Sequence, residues 1–259
     1  MQFDLSYEKS EHEKKIINSL GSNPSSFDPD ILKDRKIIFV CFTNRSGSNW
    51  LCELLSQHDS LNQGGEFLHF PMVDRIAREN NLSSIEDYFK WLLLNKSSND
   101  GNLICKIGWA QLFFLARIGL IRKLKNNTQF IFIERKKKIE QAVSFYKASQ
   151  TKQWKSFQDQ SEKKIEIVYD RGKLIKIISG ITKSNMMFEL FFSTFELNCH
   201  KVIYEELIDK TQEQIDSIMT YLNLESFKIA PRKQKMKIQR DNVNDTLKKK
   251  FEQDNMLII

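Results

Sequence analysis

The chain has 259 residues, long enough for one α/β domain with a sizeable core. It carries 40 Lys and Arg against 33 Asp and Glu, for a net charge of +7, a balance that suits an anionic ligand. The basic residues are scattered among acids with no long basic tract and no nucleic-acid module, which argues against nucleic acid as a partner. No apolar run approaches the roughly 18–20 residues of a membrane span.

In chain order, residues 1–35 read as a peripheral segment, with a helical fragment near 10–15 and a loop at Gly21-Ser22-Asn23-Pro24. One domain, 36–259, is expected after it. Its first unit is a strand at 36–42, where Ile37, Ile38, Phe39, Val40 and Phe42 leave no polar face. A polar turn, 43–48, leads into a helix at 48–57 with Leu51, Leu54 and Leu55 on one face. Helical spacing recurs at 72–80 and 85–95, the second capped by Ser83 or Ser84 with Glu86 and Asp87 in its first turn. A strand at 103–107 precedes a helix at 110–125, and a second inner strand at 129–134 precedes a helix at 138–150. Residues 165–169 are ambiguous. One long helix is expected at 170–196, a strand at 201–204 and a helix at 211–222. Strands that alternate with helices predict a parallel sheet covered on both faces.

The turn Thr43-Asn44-Arg45-Ser46-Gly47-Ser48 carries the chemistry. A helix start offers unpaired backbone N–H groups and partial positive charge, and Arg45 adds a planar fork for two oxygens of a phosphate or sulfate. The turn is not a Walker A loop: there is one glycine and no Lys before Ser48. The plainer reading is an ordinary N-cap at Ser46 or Ser48. Cys41, Cys52, Cys105 and Cys199 form no C-x-x-C pair. Neither zinc nor a disulfide framework is expected, in keeping with a reducing compartment. The opening Met1-Gln2-Phe3-Asp4 shows no apolar stretch, so a cytoplasmic location is expected.

Arg45-Ser46-Gly47-Ser48 with Trp50-Leu51-Cys52-Glu53-Leu54-Leu55 resembles the 5′-phosphosulfate loop of sulfotransferases that use 3′-phosphoadenylyl sulfate (PAPS), and more narrowly the bacterial Stf0-type carbohydrate sulfotransferases. Gly65-Glu66-Phe67, Cys105-Lys106-Ile107-Gly108-Trp109, the stretch from Ile131 through Arg135 and Gln141 to Ser144, and Tyr204-Glu205-Glu206-Leu207 follow in the family's order. The resemblance implies a P-loop-like three-layer sandwich with a central parallel sheet covered by helices. It implies PAPS as donor, adenosine 3′,5′-bisphosphate (PAP) as product, no metal, and transfer to a hydroxyl of a carbohydrate or glycolipid. Homodimers occur in the family.

By that resemblance Arg45, with the backbone of Ser46, Gly47, Ser48 and Asn49, holds the 5′-phosphosulfate. Glu66 is the general base, although Gly64 stands where the family has proline. Arg135 and Ser144 hold the 3′-phosphate. Gln239 and Arg240, in a late basic segment, resemble a loop that closes over the nucleotide. Lys106 reads either as a rim charge or as a group facing the site. Trp91, Trp109 and Trp154 are candidates for stacking on sugar rings, or for the core. Two rivals stand beside this reading: a P-loop small-molecule kinase, and a non-catalytic PAP-binding protein of the same fold.

Overall fold

The computed structural model describes residues 11–20, 29–154, 167–230 and 242–256. Among them, four strands form a parallel sheet: β1 (Lys36–Phe42), β2 (Asn102–Ile107), β3 (Thr128–Glu134) and β4 (Cys199–Ile203), in the order β2-β1-β3-β4. β1 and β2 run in register from Lys36 opposite Asn102 to Cys41 opposite Ile107. The chain leaves β1 to one side for β2 and to the other for β3. Such a reversal of strand order opens a crevice at the carboxyl ends of the two strands, where open α/β sheets take their ligands. Those ends are Phe42, leading into the turn at 43–48, and Glu134, leading into Arg135.

The chain divides into two compact units, one of Met1–Cys41 with His58–Ile131 and one of Phe42–Gln57 with Phe132–Ile259. In the first, Phe39 is fully buried and its ring meets Phe130 at 5.8 Å and Phe89 at 6.4 Å between centroids. The helix α1 (Glu11–Leu20) was expected to be peripheral, yet it buries Ile16 and Leu20 and packs on the later helix at Phe70–Glu79. We number the remaining helices α2 (Ser48–Leu55), α3 (Phe70–Glu79), α4 (Ile85–Asn95), α5 (Trp109–Arg117), α6 (Leu120–Leu124), α7 (Lys138–Thr151), α8 (Arg171–Thr194), α9 (Tyr204–Asp209), α10 (Thr211–Leu222) and α11 (Asn242–Met256). In the second unit α7, α8 and α11 share a core of Val143, Tyr146, Leu174, Ile181, Leu247 and Phe251.

Most elements fall near where hydrophobic spacing put them, with differences in bounds. The helix expected at 110–125 is broken into α5 and α6, because Gly119 takes a left-handed φ of 81° that caps the second piece. The strand expected to reach Tyr204 ends at Ile203, and Tyr204 opens α9. Asp170 accepts from the backbone N–H of Lys173 and so starts α8 one residue later than expected.

At the end of β3, Glu134 sits in a charge cluster. It accepts from Lys138 at 2.6 Å and Asn185 at 3.2 Å, and pairs with Lys201 at 2.8 Å. Burial by itself pushes this carboxyl up, but Lys138 and Lys201 outweigh it and hold it below its ordinary value. A carboxylate of this kind contributes its full stability above the unfolded-state value and loses it as pH falls through the folded-state value. Glu134→Gln is expected to cost about 1–3 kcal/mol at neutral pH. The difference from the unsubstituted protein, read by urea denaturation, should shrink as pH falls below the ordinary carboxylate value; a difference that stays constant on acidification would contradict this account.

Candidate functional site

The turn between β1 and α2 is held by α7. Gln141 is fully buried, and its amide donates to Thr43 Oγ1 at 2.9 Å and to the Asn44 carbonyl at 2.8 Å. Three residues on, and so on the same helical face, the Ser144 hydroxyl accepts from Arg45 Nε at 3.0 Å. Arg45 also donates to the Trp154 carbonyl at 2.7 Å. The turn closes with the Ser46 N–H bonded to the Thr43 carbonyl at 3.1 Å. Its geometry requires two left-handed residues, Arg45 at φ 64° and Gly47 at φ 97°. For arginine that conformation costs about 1–2 kcal/mol, and strain of this sort concentrates at ligand clamps.

One polar group of the turn has no partner among the described residues. Gly47 is the N-cap of α2, and as a glycine it supplies no side-chain cap. Ser46 is completely buried, and among the described residues its hydroxyl has no hydrogen-bond partner. A buried hydroxyl left unpaired costs on the order of 1–3 kcal/mol. An anion seated at the helix start would satisfy it.

Arg135 leaves the end of β3 in the same unit. Its guanidinium lies 3.2 Å from Glu140 and 3.8 Å from Glu205, and over the Tyr204 ring at 4.9 Å. Glu205 in turn accepts the backbone N–H groups of Lys136 at 2.9 Å and Lys137 at 3.0 Å, ahead of α7. Burial pushes the Arg45 guanidinium below its ordinary value, Arg135 pushes the same way, and Tyr204 opposes them. Burial likewise raises the Tyr204 phenol, while Arg135 and Arg45 pull it down. The two guanidiniums therefore share one field with a phenol ring between their influences, a setting that favours an anion.

Tyr204 was quoted in the sequence only as part of a motif, and the structure gives it a central place. Its ring lies against Gly47 and meets Trp50 edge-on at 6.4 Å. Its position as the first residue past a strand end was the available signal. Gln141 was noted there without a role; the structure makes it the support of the turn. Gln239 and Arg240 lie outside the described residues.

Glu66 belongs to the other unit. Gly65 bridges to Cys105 at the edge strand β2, and the Lys106 N–H donates to the Gly65 carbonyl at 2.8 Å. Lys106 Nζ then reaches Glu66 Oε1 at 2.7 Å. The lysine side chain is only 3% exposed and the glutamate 47%, so Lys106 is a buried cation and not a rim charge. The segment after Glu66 is pinned as well: Tyr88 donates to the Phe67 carbonyl at 2.5 Å, and Gln111 to the Leu68 carbonyl at 3.0 Å. Of the three candidate tryptophans, Trp109 is buried against Phe113, whereas Trp154 is 38% exposed. Among the described residues no group of three or more His, Cys, Asp or Glu could hold a metal ion, and no helix is long and apolar enough to cross a membrane.

A parallel strand, a polar turn at a helix start and two half-buried arginines lie together in this unit of an α/β protein. The model of the Stf0 sulphotransferase family matches residues 116–254, more than half of the chain, and the chain belongs to that family. The matched stretch contains Arg135, Ser144 and Tyr204; Arg45, Glu66 and Lys106 precede it. Solved structures similar to this one include a mouse sulfotransferase, SULT7A1, complexed with PAP (13% identity over 84% of this chain and 66% of that chain, TM-score 0.48). They also include the sulfotransferase domain from the curacin biosynthetic pathway (17%, 81% and 82%, 0.49) and that of the Synechococcus PCC 7002 olefin synthase (15%, 89% and 91%, 0.48). The chain thus spans just under two thirds of the mouse structure's length. No curated protein matches the chain.

Gly47 gives the turn a direct test. A Cβ there would lie 2.3 Å from Tyr204 Cδ2, at a φ that side chains avoid. Gly47→Ala is expected to lower the unfolding free energy by about 2–5 kcal/mol, the left-handed cost plus overpacking. Adding Tyr204→Ala should remove the steric share of the Gly47→Ala penalty and leave about 1–2 kcal/mol. A loss below 1 kcal/mol in the single variant, by chemical denaturation, would show that the turn is not built this way.

Proposed function

We propose that the protein transfers a sulfuryl group from PAPS to a hydroxyl of a carbohydrate or glycolipid, as a single sulfotransferase domain over residues 36–259. The observation that carries the reading is the turn at 43–48: a glycine at the N-cap of a helix, the buried Ser46 hydroxyl without a partner among the described residues, and Arg45 bonded to Ser144. Family membership supplies the donor class, and the sugar acceptor rests on the family resemblance.

In this reading Arg45 and the N–H groups of Ser46 to Asn49 hold the 5′-phosphosulfate. Arg45 also stabilises the charge that develops on the departing phosphate. Arg135 and Ser144 take the 3′-phosphate, Arg135 with N–H groups that its two carboxylates do not use. Gln239 and Arg240 are assigned to the same nucleotide. In the transfer, the acceptor oxygen forms a bond to sulfur and the bond from sulfur to the 5′-phosphate oxygen breaks. PAP leaves with the electron pair, and the hydroxyl proton passes to Glu66. Lys106 holds one oxygen of that carboxylate and so fixes its orientation. No metal is assigned a part. The proposed location is the cytoplasm, where an activated sulfate made from ATP would be at hand, and the proposed assembly is a homodimer, on the family's precedent.

The test is transfer of labelled sulfate from PAPS to a panel of sugars and lipid extracts. Label on a carbohydrate-containing acceptor is expected. PAP should raise the melting temperature, and ATP with Mg²⁺ should not; the reverse order would favour the kinase. Glu66→Gln should leave the PAP dissociation constant nearly unchanged and cut turnover by about a hundredfold or more. Weaker PAP binding with an intact rate would make Glu66 a binding residue, and label on no acceptor would favour a protein that only binds PAP.

A further inference from the structure

The surroundings of Arg135 reach the C-terminal helix. Glu140 Oε2 is 3.2 Å from Arg135, and Glu140 Oε1 accepts from Lys248 of α11 at 3.1 Å. Both residues of the first pair are largely buried, Arg135 at 15% and Glu140 at 13% side-chain exposure. Lys248 has a fixed root: Leu247 and Phe251, on either side of it, are buried in the core shared with α7 and α8. Two further bonds tie down the same helix, from Tyr169 to Asp254 at 2.6 Å and from Arg171 to Asn255 at 2.8 Å.

We propose that Glu140 is a positioning residue for Arg135, and that Lys248 holds Glu140 in place, so that α11 sets how well the protein recognises a terminal phosphate monoester on its ligand. The proposal rests on the reading of Arg135 as the ligand of a 3′-phosphate. A guanidinium carries five N–H groups in one plane. Glu140 accepts from one end of that fork, Glu205 stands 3.8 Å from Nε as a countercharge without a hydrogen bond, and the Tyr204 ring lies against its plane. The N–H groups that remain, including the Nε–H that has no partner among the described residues, are then held in a fixed plane before a ligand arrives, which is how preorganised recognition gains affinity. Glu140 also has an opposing effect, since its negative charge repels a phosphate. Lys248 offsets that charge, which leaves the orienting effect in control.

The two effects separate by substitution in the full chain. The readout is the ratio of dissociation constants for adenosine 5′-phosphate and PAP, by calorimetry, because the two ligands differ only in the 3′-phosphate. Glu140→Ala removes both the orienting bond and the charge, and is expected to reduce the ratio about tenfold, the equivalent of one charge-assisted hydrogen bond. Glu140→Gln removes the charge but keeps an oxygen for Arg135, and should stay within about threefold of the unsubstituted protein. A ratio unchanged or raised in Glu140→Ala overturns the proposal, and so does an equal fall in both variants. Lys248→Met leaves Glu140 in the fold and serves where Glu140→Ala does not fold; it should lower the ratio about threefold, and no change would remove α11 from the account. Arg135→Ala is the control. If it leaves the ratio intact, the phosphate reading of Arg135 falls first. If it removes the preference while Glu140→Ala does not, only the positioning role falls.

Discussion

Two guanidiniums held in one partly buried field are the constraint around which the second unit is arranged. Arg45 feels both burial and Arg135, and each effect disfavours its charged form. Arginine does not escape by losing its proton, so the fold must answer the charge. It does so with Glu140 and Glu205 at Arg135, and with the Tyr204 ring, whose face attracts a cation by about 0.5–2 kcal/mol. Arg45 is directed onto neutral acceptors, the Ser144 hydroxyl and the Trp154 carbonyl. Neutral acceptors orient a guanidinium without cancelling it.

The shape of that turn has its own cost, and α7 bears it. Left-handed φ at Arg45 and Gly47 would relax in an isolated peptide. Gln141 prevents this from below, with two bonds from a completely buried amide. A single helix face thus carries both the support of the turn, through Gln141, and a contact of its cation, through Ser144. Tyr204 closes the other side so tightly that position 47 admits no side chain. A site preorganised in this way asks little reorganisation of an incoming anion, which is the condition under which oriented dipoles act most strongly.

What the sequence disclosed follows the range of each interaction. The β1–turn–α2 unit was legible because its signals are local: an apolar run, one glycine, and leucines at helical spacing. The pairing of Arg45 with Ser144 joins residues 99 apart, and only the family pattern put both near one nucleotide. Glu140 and Glu205 at Arg135 were not foreseen, since a surface-type carboxylate looks the same in sequence whether solvated or buried against a cation. Lys106 shows the same blindness: it stands among Ile104, Cys105 and Ile107, and its partner lies 40 residues earlier. The break at Gly119 escaped because the apolar spacing runs on through it, and periodicity does not register a left-handed glycine.

Lys106 also explains why position 66 is under two demands. An ammonium that is 3% exposed needs an oxygen close by, because a buried cation left alone is costly by several kcal/mol. Glu66 Oε1 meets that need at 2.7 Å, and an amide oxygen would meet it too. The hydrogen bond asks only for an acceptor, but the charge of the buried ammonium also favours a carboxylate here. What a carboxylate adds is a second oxygen able to take a proton, on a side chain nearly half exposed whose neighbours, Phe67 and Leu68, are held by Tyr88 and Gln111. Orientation by a buried cation, with one oxygen kept for chemistry, is the arrangement a general base at this point would need.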